Sequence, residues 1–239
     1  KAGDVAPDKY RLVRRLGSGG MGAVWHATHV VTRRPVALKF LHANRHTDIN
    51  ARARLLREAR AAAAVGHPAV VTIHDVIEVG GAPVLVMDLL EGESLRECLE
   101  REGRLAPGVA VDIALAILSV LSAAHAHGIV HRDLKPENVF LPQGGPSEAR
   151  LLDFGIAKIT RTDGLQGLST ETGAMLGTPH YMAPEQAFGE KDVDGRADLW
   201  ALGVLLYECL SARRPIDGEN LGQILRAMTE CKVKPLLEV

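Results

Sequence analysis

Hydrophobic and polar positions alternate with strand-like spacing near the start of the chain and change to a helical period beyond residue 91. Tyr10–Leu16, Ala23–Thr28 and Val36–Phe40 are short β-prone runs separated by Gly-rich or Arg-Pro turn chemistry, and read as strands. Asn50 to Val65 reads as a helix, with Asn50 as N-cap, an interior of Ala, Leu and Arg, and a stop at Gly66-His67-Pro68. Val70–Val76 and Pro83–Met87 follow as two more strands. Three strands, a helix and two strands describe a small mixed unit built on an antiparallel sheet.

After Glu91-Gly92 the helical pattern dominates. Leu95–Arg101, Val109–His127 and Ala197–Leu210 are periodic, and a further helix is readable over Leu221–Thr229. Residues 128–196, by contrast, are rich in Gly, Pro and charge with little period. So long an irregular stretch in a compact domain is usually functional. No internal repeat is present.

Composition narrows the picture without deciding it. The 239 residues are 46% hydrophobic and 24% charged, which excludes collagen-like, low-complexity and wholly disordered chains. Aromatics at 4% predict an aliphatic, Ala-rich core. Cys98, Cys209 and Cys231 are too few and too scattered for a disulfide framework and lack zinc-site spacing, which suits a reducing, cytoplasmic setting. The net charge of −1 offers no case for nucleic-acid binding, yet residues 1–65 balance to +9 and the remainder to −10. That asymmetry reads either as a basic module facing an acidic one or as a solvated Arg-rich helix face. The most apolar runs, Ile113–Ala124 and Leu199–Leu210, are twelve residues each, short of the roughly 18–20 needed to span a bilayer. Both read as buried helices.

Three stretches could carry chemistry. In Gly17-Ser18-Gly19-Gly20-Met21-Gly22, glycines let backbone amides approach a phosphate closely. A dinucleotide fingerprint would continue into a helix, whereas Ala23–Thr28 reads as a strand. The motif is thus a hairpin whose turn lies over a nucleotide, or a plain flexible hairpin. Lys39, within Val36-Ala37-Leu38-Lys39, either points its ammonium at phosphates or is a snorkelling edge lysine. Glu58 is the one carboxylate between Asp48 and Asp75, and pairs either with Lys39 or with an arginine of its own helix. His131-Arg132-Asp133-Leu134-Lys135-Pro136-Glu137-Asn138 gathers a carboxylate, a lysine and an amide within six residues, and Asp153-Phe154-Gly155 follows. Such groups can accept a proton, neutralise phosphate charge and ligate a hard cation.

In order and spacing, GSGGMGAV, VALK, the helix glutamate, HRDLKPEN, DFG, GTPHYMAPE and DLWALG resemble the protein kinase family, in particular the eukaryotic-like Ser/Thr kinases of bacteria. The likeness runs from Tyr10 to the last residue. It implies an α+β, bilobal fold: an antiparallel-sheet N-lobe with one helix (10–86), a hinge (87–92) and a mostly helical, partial C-lobe (93–239). It also implies ATP and Mg²⁺ or Mn²⁺ as cofactors, protein substrates phosphorylated on Ser or Thr, and a homodimer for trans-autophosphorylation.

By that resemblance the loop from Gly17 through Ser18, Gly19, Gly20 and Met21 to Gly22 covers ATP, with Val24 and Ala37 against the adenine. Met87 is the gatekeeper, and Asp88, Leu89 and Leu90 form the hinge. Lys39 holds the α/β-phosphates and pairs with Glu58. Asp133 is the catalytic base, Lys135 meets the γ-phosphate, and Asn138 and Asp153 hold metal. Thr178 contacts the catalytic aspartate and lysine, while His131 and Asp198 brace the loop. His125 and His127, two apart at a helix end, read as structural. Arg132 is the arginine that meets an activation-loop phosphate, with Thr170 and Thr172 as the expected acceptors; otherwise those hydroxyls simply suit a loop. The arginine partner of Glu185 would fall near position 255, so the last C-lobe helices are expected to lie outside this chain, which reads as a piece of a longer protein. The rival readings are a nucleotide-binding pseudokinase or scaffold, a small-molecule phosphotransferase, and an inactive fragment.

Overall fold

The computed structural model describes residues 5–6, 9–18, 22–41, 49–153, 179–190, 192–218, 220–230 and 233–238. They fall into two compact units, Lys1–Glu91 and Gly92–Val239.

The first unit is an antiparallel sheet with one helix. Its strands are β1 (Val5–Ala6), β2 (Tyr10–Ser18), β3 (Gly22–His29), β4 (Pro35–Leu41), β5 (Ile73–Val79) and β6 (Ala82–Met87), in the order β1-β2-β3-β4-β6-β5. Helix α1 (Ile49–Val65) connects β4 to β5. Alternation along the strands divides the apolar side chains between the two faces. One face collects Tyr10, Leu12, Ala27, Val36, Leu38, Val84 and Val86, with Trp25 and Phe40 packed on them. The other collects Leu41 and Leu85, which meet Leu55 and Ala59 of α1. β4 and β6 are central strands with both faces covered, so their sequences are apolar save for Lys39 of β4.

Most boundaries fall within two residues of those the pattern predicts, and two differences bear on local chemistry. α1 begins at Ile49, which puts Asn50 inside the first turn rather than at the cap. β5 runs over Ile73–Val79, three residues later than expected. Gly80 and Gly81 have φ values of +57° and +77°, the left-handed conformation of a tight hairpin turn, and Val79 pairs with Ala82 directly across it. The turn dictates the register, and Val70 and Val71 are left as buried anchors ahead of the strand.

The second unit contains α2 (Leu95–Glu102), α3 (Pro107–Ala126), α4 (Pro184–Ala187), α5 (Arg196–Ser211) and α6 (Leu221–Glu230), with a small sheet of β7 (Gly92–Ser94), β8 (Val139–Pro142) and β9 (Arg150–Leu151) in that order. α2 starts on a capping box, in which Ser94 and Glu97 satisfy each other's backbone N–H groups. α3 is longer than the twelve-residue apolar run within it. At 20 residues and a mean hydropathy of 2.0 it is, among the described residues, the one helix long and apolar enough to cross a membrane. One face, with Ile113, Ile117, Val120, Leu121 and Ala124, is buried inside the unit, whereas Val111, Leu115 and Leu118 are exposed, so the helix is buried on one side only. α5 likewise buries Ala201, Leu202, Val204 and Leu205, and carries Asp198 in its first turn.

Candidate active site

In the first unit the sheet face under α1 carries the charged pair. Lys39 Nζ donates to Glu58 Oε1 at 2.7 Å, with both side chains 7% exposed. The lysine stands on a central strand and the glutamate on the packed side of α1, between Leu55 and Ala59. Ionised groups so far from water are held by their partner's charge, because neither regains its hydration elsewhere.

Cross-strand register assembles the rest of that face. Val24 lies opposite Lys39 and Ala37 opposite Met87, so the four residues share one side of the sheet. Ala37 is 3% exposed, while Val24 and Met87 are half-buried. Gly22 opens β3 where a Cβ would sit 1.6 Å from the carbonyl oxygen of Phe40, so only glycine lets the two strands approach. Gly17 and Ser18 close β2, and Arg15 donates to Ser18 Oγ at 2.8 Å. Gly19, Gly20 and Met21 lie outside the described residues. Asp88, Leu89 and Leu90 follow β6, and Asp88 N–H donates to Thr72 O at 3.0 Å.

The second unit brings together the cluster between α3 and β8. Lys135 Nζ donates to Asp133 Oδ2 at 3.0 Å. Asn138 Nδ2 donates to the Asp133 carbonyl at 2.8 Å and stands 3.3 Å from Oδ2. This commits the amide nitrogen inward and leaves Oδ1 as the oxygen a cation would meet. Asp153 has a φ of +44° and Arg132 one of +63°, conformations a non-glycine residue holds only where its surroundings impose them.

Asp198 supplies much of that imposition. Its side chain is 1% exposed and takes the main-chain N–H of His131 on Oδ2 and that of Arg132 on Oδ1, each at 2.8 Å. His125 Nε2 donates to Oδ2 at 2.8 Å. His131 is fully buried: its Nδ1 accepts from Asp133 N–H at 3.2 Å, and its Nε2 donates to Leu152 O at 3.2 Å. Burial pushes this imidazole below its ordinary pKa, which keeps it neutral and able to act as donor and acceptor at once. One ring thereby links the stretch bearing Asp133 to the one bearing Asp153.

Arg132 NH2 donates to Val193 O at 2.9 Å, and Gln186 Nε2 donates to the Arg132 carbonyl at 3.1 Å. Thr170, Thr172 and Thr178 lie outside the described residues.

The sequence reading passed over a second polar cluster. Arg96 reaches Glu208 at 3.0 Å, Glu137 at 3.2 Å and Tyr181 Oη at 2.6 Å, and the Tyr181 hydroxyl also donates to Glu208. Burial and the Glu208 carboxylate push the phenol well above its ordinary pKa. Glu208 sits in the apolar run of α5, and a charged residue at a core position was the available signal. His74 and Asp88, 2.7 Å apart, were missed as well, since nothing local marks a contact between a strand and a loop.

A sheet with one helix and a helical second unit, the one carrying the Lys39–Glu58 pair and the other Asp133, Lys135 and Asn138, have the elements of an α+β kinase fold. Residues 10–236 match the protein kinase domain, and the chain belongs to that family. It is 47% identical over 221 residues to the serine/threonine-protein kinase pkn2 of Myxococcus xanthus, covering 90% of this chain and 26% of that protein. Against Pkn1 of the same organism identity is 44%, over 91% of this chain and 31% of the relative. Against PknE of Mycobacterium tuberculosis it is 44%, over 89% and 36%. The chain is a protein kinase domain, and it spans roughly a quarter to a third of the length of these serine/threonine-protein kinases.

Proposed function

We propose that the protein carrying this domain transfers the γ-phosphoryl group of ATP to serine and threonine hydroxyls of proteins, its own activation segment included. The observation that carries this reading is the Asp133, Lys135 and Asn138 cluster, in which base, cation and amide converge within 3.3 Å. The Asp133 carboxylate accepts the proton of the attacking hydroxyl, and Lys135 neutralises charge on the transferred group. Lys39, fixed by Glu58, holds the α/β-phosphates. The loop Gly17–Gly22 covers them, and the 87–92 connector meets the adenine. Asn138 Oδ1 and Asp153 suit a hard divalent cation, Mg²⁺ or Mn²⁺, which supplies charge neutralisation on the phosphates. With little covalent work left to the protein, positioning and electrostatics provide the rate.

Regulation follows from Arg132. Phosphate on Thr170 or Thr172, added in trans by a second copy, draws the Arg132 guanidinium from Val193 O into charge-assisted bonds.

The test is incubation of the 1–239 protein with Mg²⁺-ATP followed by mass spectrometry, beside Lys39→Met and Asp133→Asn. Phosphothreonine in 160–178 that both variants lose supports the proposal. A folded, nucleotide-binding protein that transfers nothing, alone or to a generic protein substrate, points to a binding-only module. An Arg132→Ala variant indifferent to phosphorylation state removes the regulatory part.

A further inference from the structure

At the end of β6, two separate elements converge on one carboxylate. Asp88 Oδ1 receives His74 Nε2–H at 2.7 Å, and Arg34 NH2 stands 3.5 Å from the same oxygen and 3.2 Å from the imidazole. His74 reaches it through an irregularity in the sheet. Ile73 pairs with Met87 and Asp75 with Val86, so His74 is the extra residue of a β-bulge, the device that re-aims a side chain from a strand. Arg34 comes from the β3–β4 turn, which is tied down on its own account: His29 Nδ1 accepts the N–H groups of Val31 and Thr32, and Arg33 has a φ of +61°. The Asp88 main chain is itself fastened to Thr72 O. Asp88 therefore enters the 88–90 connector clamped through both its backbone and its side chain.

We propose that His74, assisted by Arg34, is a positioning residue for nucleotide binding: by holding the Asp88 carboxylate it sets the path of the Asp88–Leu90 backbone whose N–H and C=O groups meet the adenine edge. The inference rests on the ATP-binding role proposed above. Neither side chain touches the nucleotide, and neither takes part in transfer. His74 and Asp88 are 24% and 26% exposed, shielded enough for the bond to hold the loop, while Arg34, 59% exposed, contributes less.

His74→Ala should weaken ATP on the order of tenfold, the loss of one charge-assisted hydrogen bond, as a raised KM at unchanged kcat. His74→Gln, which restores a side-chain N–H donor, should bring affinity back to within about twofold of the unaltered protein. Arg34→Ala should cost about twofold. Inorganic tripolyphosphate, which lacks a base, should inhibit all four proteins equally. A merely structural histidine would lower thermal stability or kcat and leave that contrast flat. An unchanged KM in His74→Ala, or equal weakening of ATP and tripolyphosphate, overturns the inference while leaving the kinase reading intact. Failure of the unaltered protein to bind ATP removes that reading, and this inference with it. Should His74→Ala not fold, Arg34→Ala still decides: a twofold loss for ATP with none for tripolyphosphate supports the clamp, and no loss for ATP, or an equal loss for both, overturns it.

Discussion

The Asp198 carboxylate receives the main-chain N–H of Arg132 at 2.8 Å across 66 residues of sequence. Arg132 has a left-handed φ, and its neighbour Asp133 is the proposed base. A helix side chain thus fixes the backbone of the loop that carries the proposed base. Asp198→Ala removes the acceptor of the His131 and Arg132 main-chain N–H groups and of the half-buried His125 ring, and should destabilise the second unit by about 3 kcal/mol. Asp198→Asn keeps one acceptor and should cost less. Denaturant unfolding of the variants would rank them.

Lys39 and Glu58 allow stability and activity to be separated. Lys39→Met leaves Glu58 buried without its ammonium, expected to cost about 3–5 kcal/mol. Adding Glu58→Leu should recover most of that stability. Activity should stay lost in both proteins, because the charge proposed to hold the phosphates is absent either way. A double variant regaining phosphoryl transfer would exclude Lys39 from the machinery.

Asp133→Asn keeps the side chain's shape and one oxygen but removes the proton acceptor. Transfer should fall by roughly 10²–10⁴-fold, with ATP affinity little changed. A steady-state assay combined with a nucleotide-binding titration would show the split.

Gly22 is a backbone test of the first unit. A methyl group there meets Phe40 O at 1.6 Å, so β3 and β4 must part to admit it. Gly22→Ala should lower the thermal midpoint sharply. Gly17, with nothing within 4 Å of its would-be Cβ, should tolerate alanine far better.

Acid should weaken the fold through its buried histidines. Burial lowers the folded-state pKa of His131, and burial together with Arg214 lowers that of His180. The unfolded chain then binds more protons than the folded one below the ordinary histidine pKa of about 6.5. Stability should be full above that value and decline as pH falls from about 6.5 toward the lowered folded pKa values. Denaturant midpoints at a series of pH values would measure the slope, and His180→Gln should reduce it. Cys209 belongs to the same interior: burial, reinforced by Glu208, pushes its thiol up to about 12, so thiol reagents should leave it unmodified until the unit opens.

By itself the sequence determined everything that is local or periodic. Strand alternation marked the sheet, 3.6-residue spacing marked α2, α3, α5 and α6, and short motifs brought Asp133, Lys135 and Asn138 together because they lie within six residues of one another. Those features depend on neighbours in the chain, so they are written in the chain. Tertiary structure alone decided what depends on distant groups. Spacing alone left the Lys39–Glu58 pairing open because helix arginines were equally near; the family resemblance implied it, and burial of both groups against one sheet face shows it. β5 shifted by three residues because a Gly-Gly turn outweighed the apolar run. The family resemblance implied Asp198 as a brace but not its N–H partners; these, the Arg96–Glu208–Tyr181 cluster and the His74–Asp88 clamp join residues between 14 and 112 positions apart. Desolvation and register arise only once the chain has packed, and they are what chose those partners.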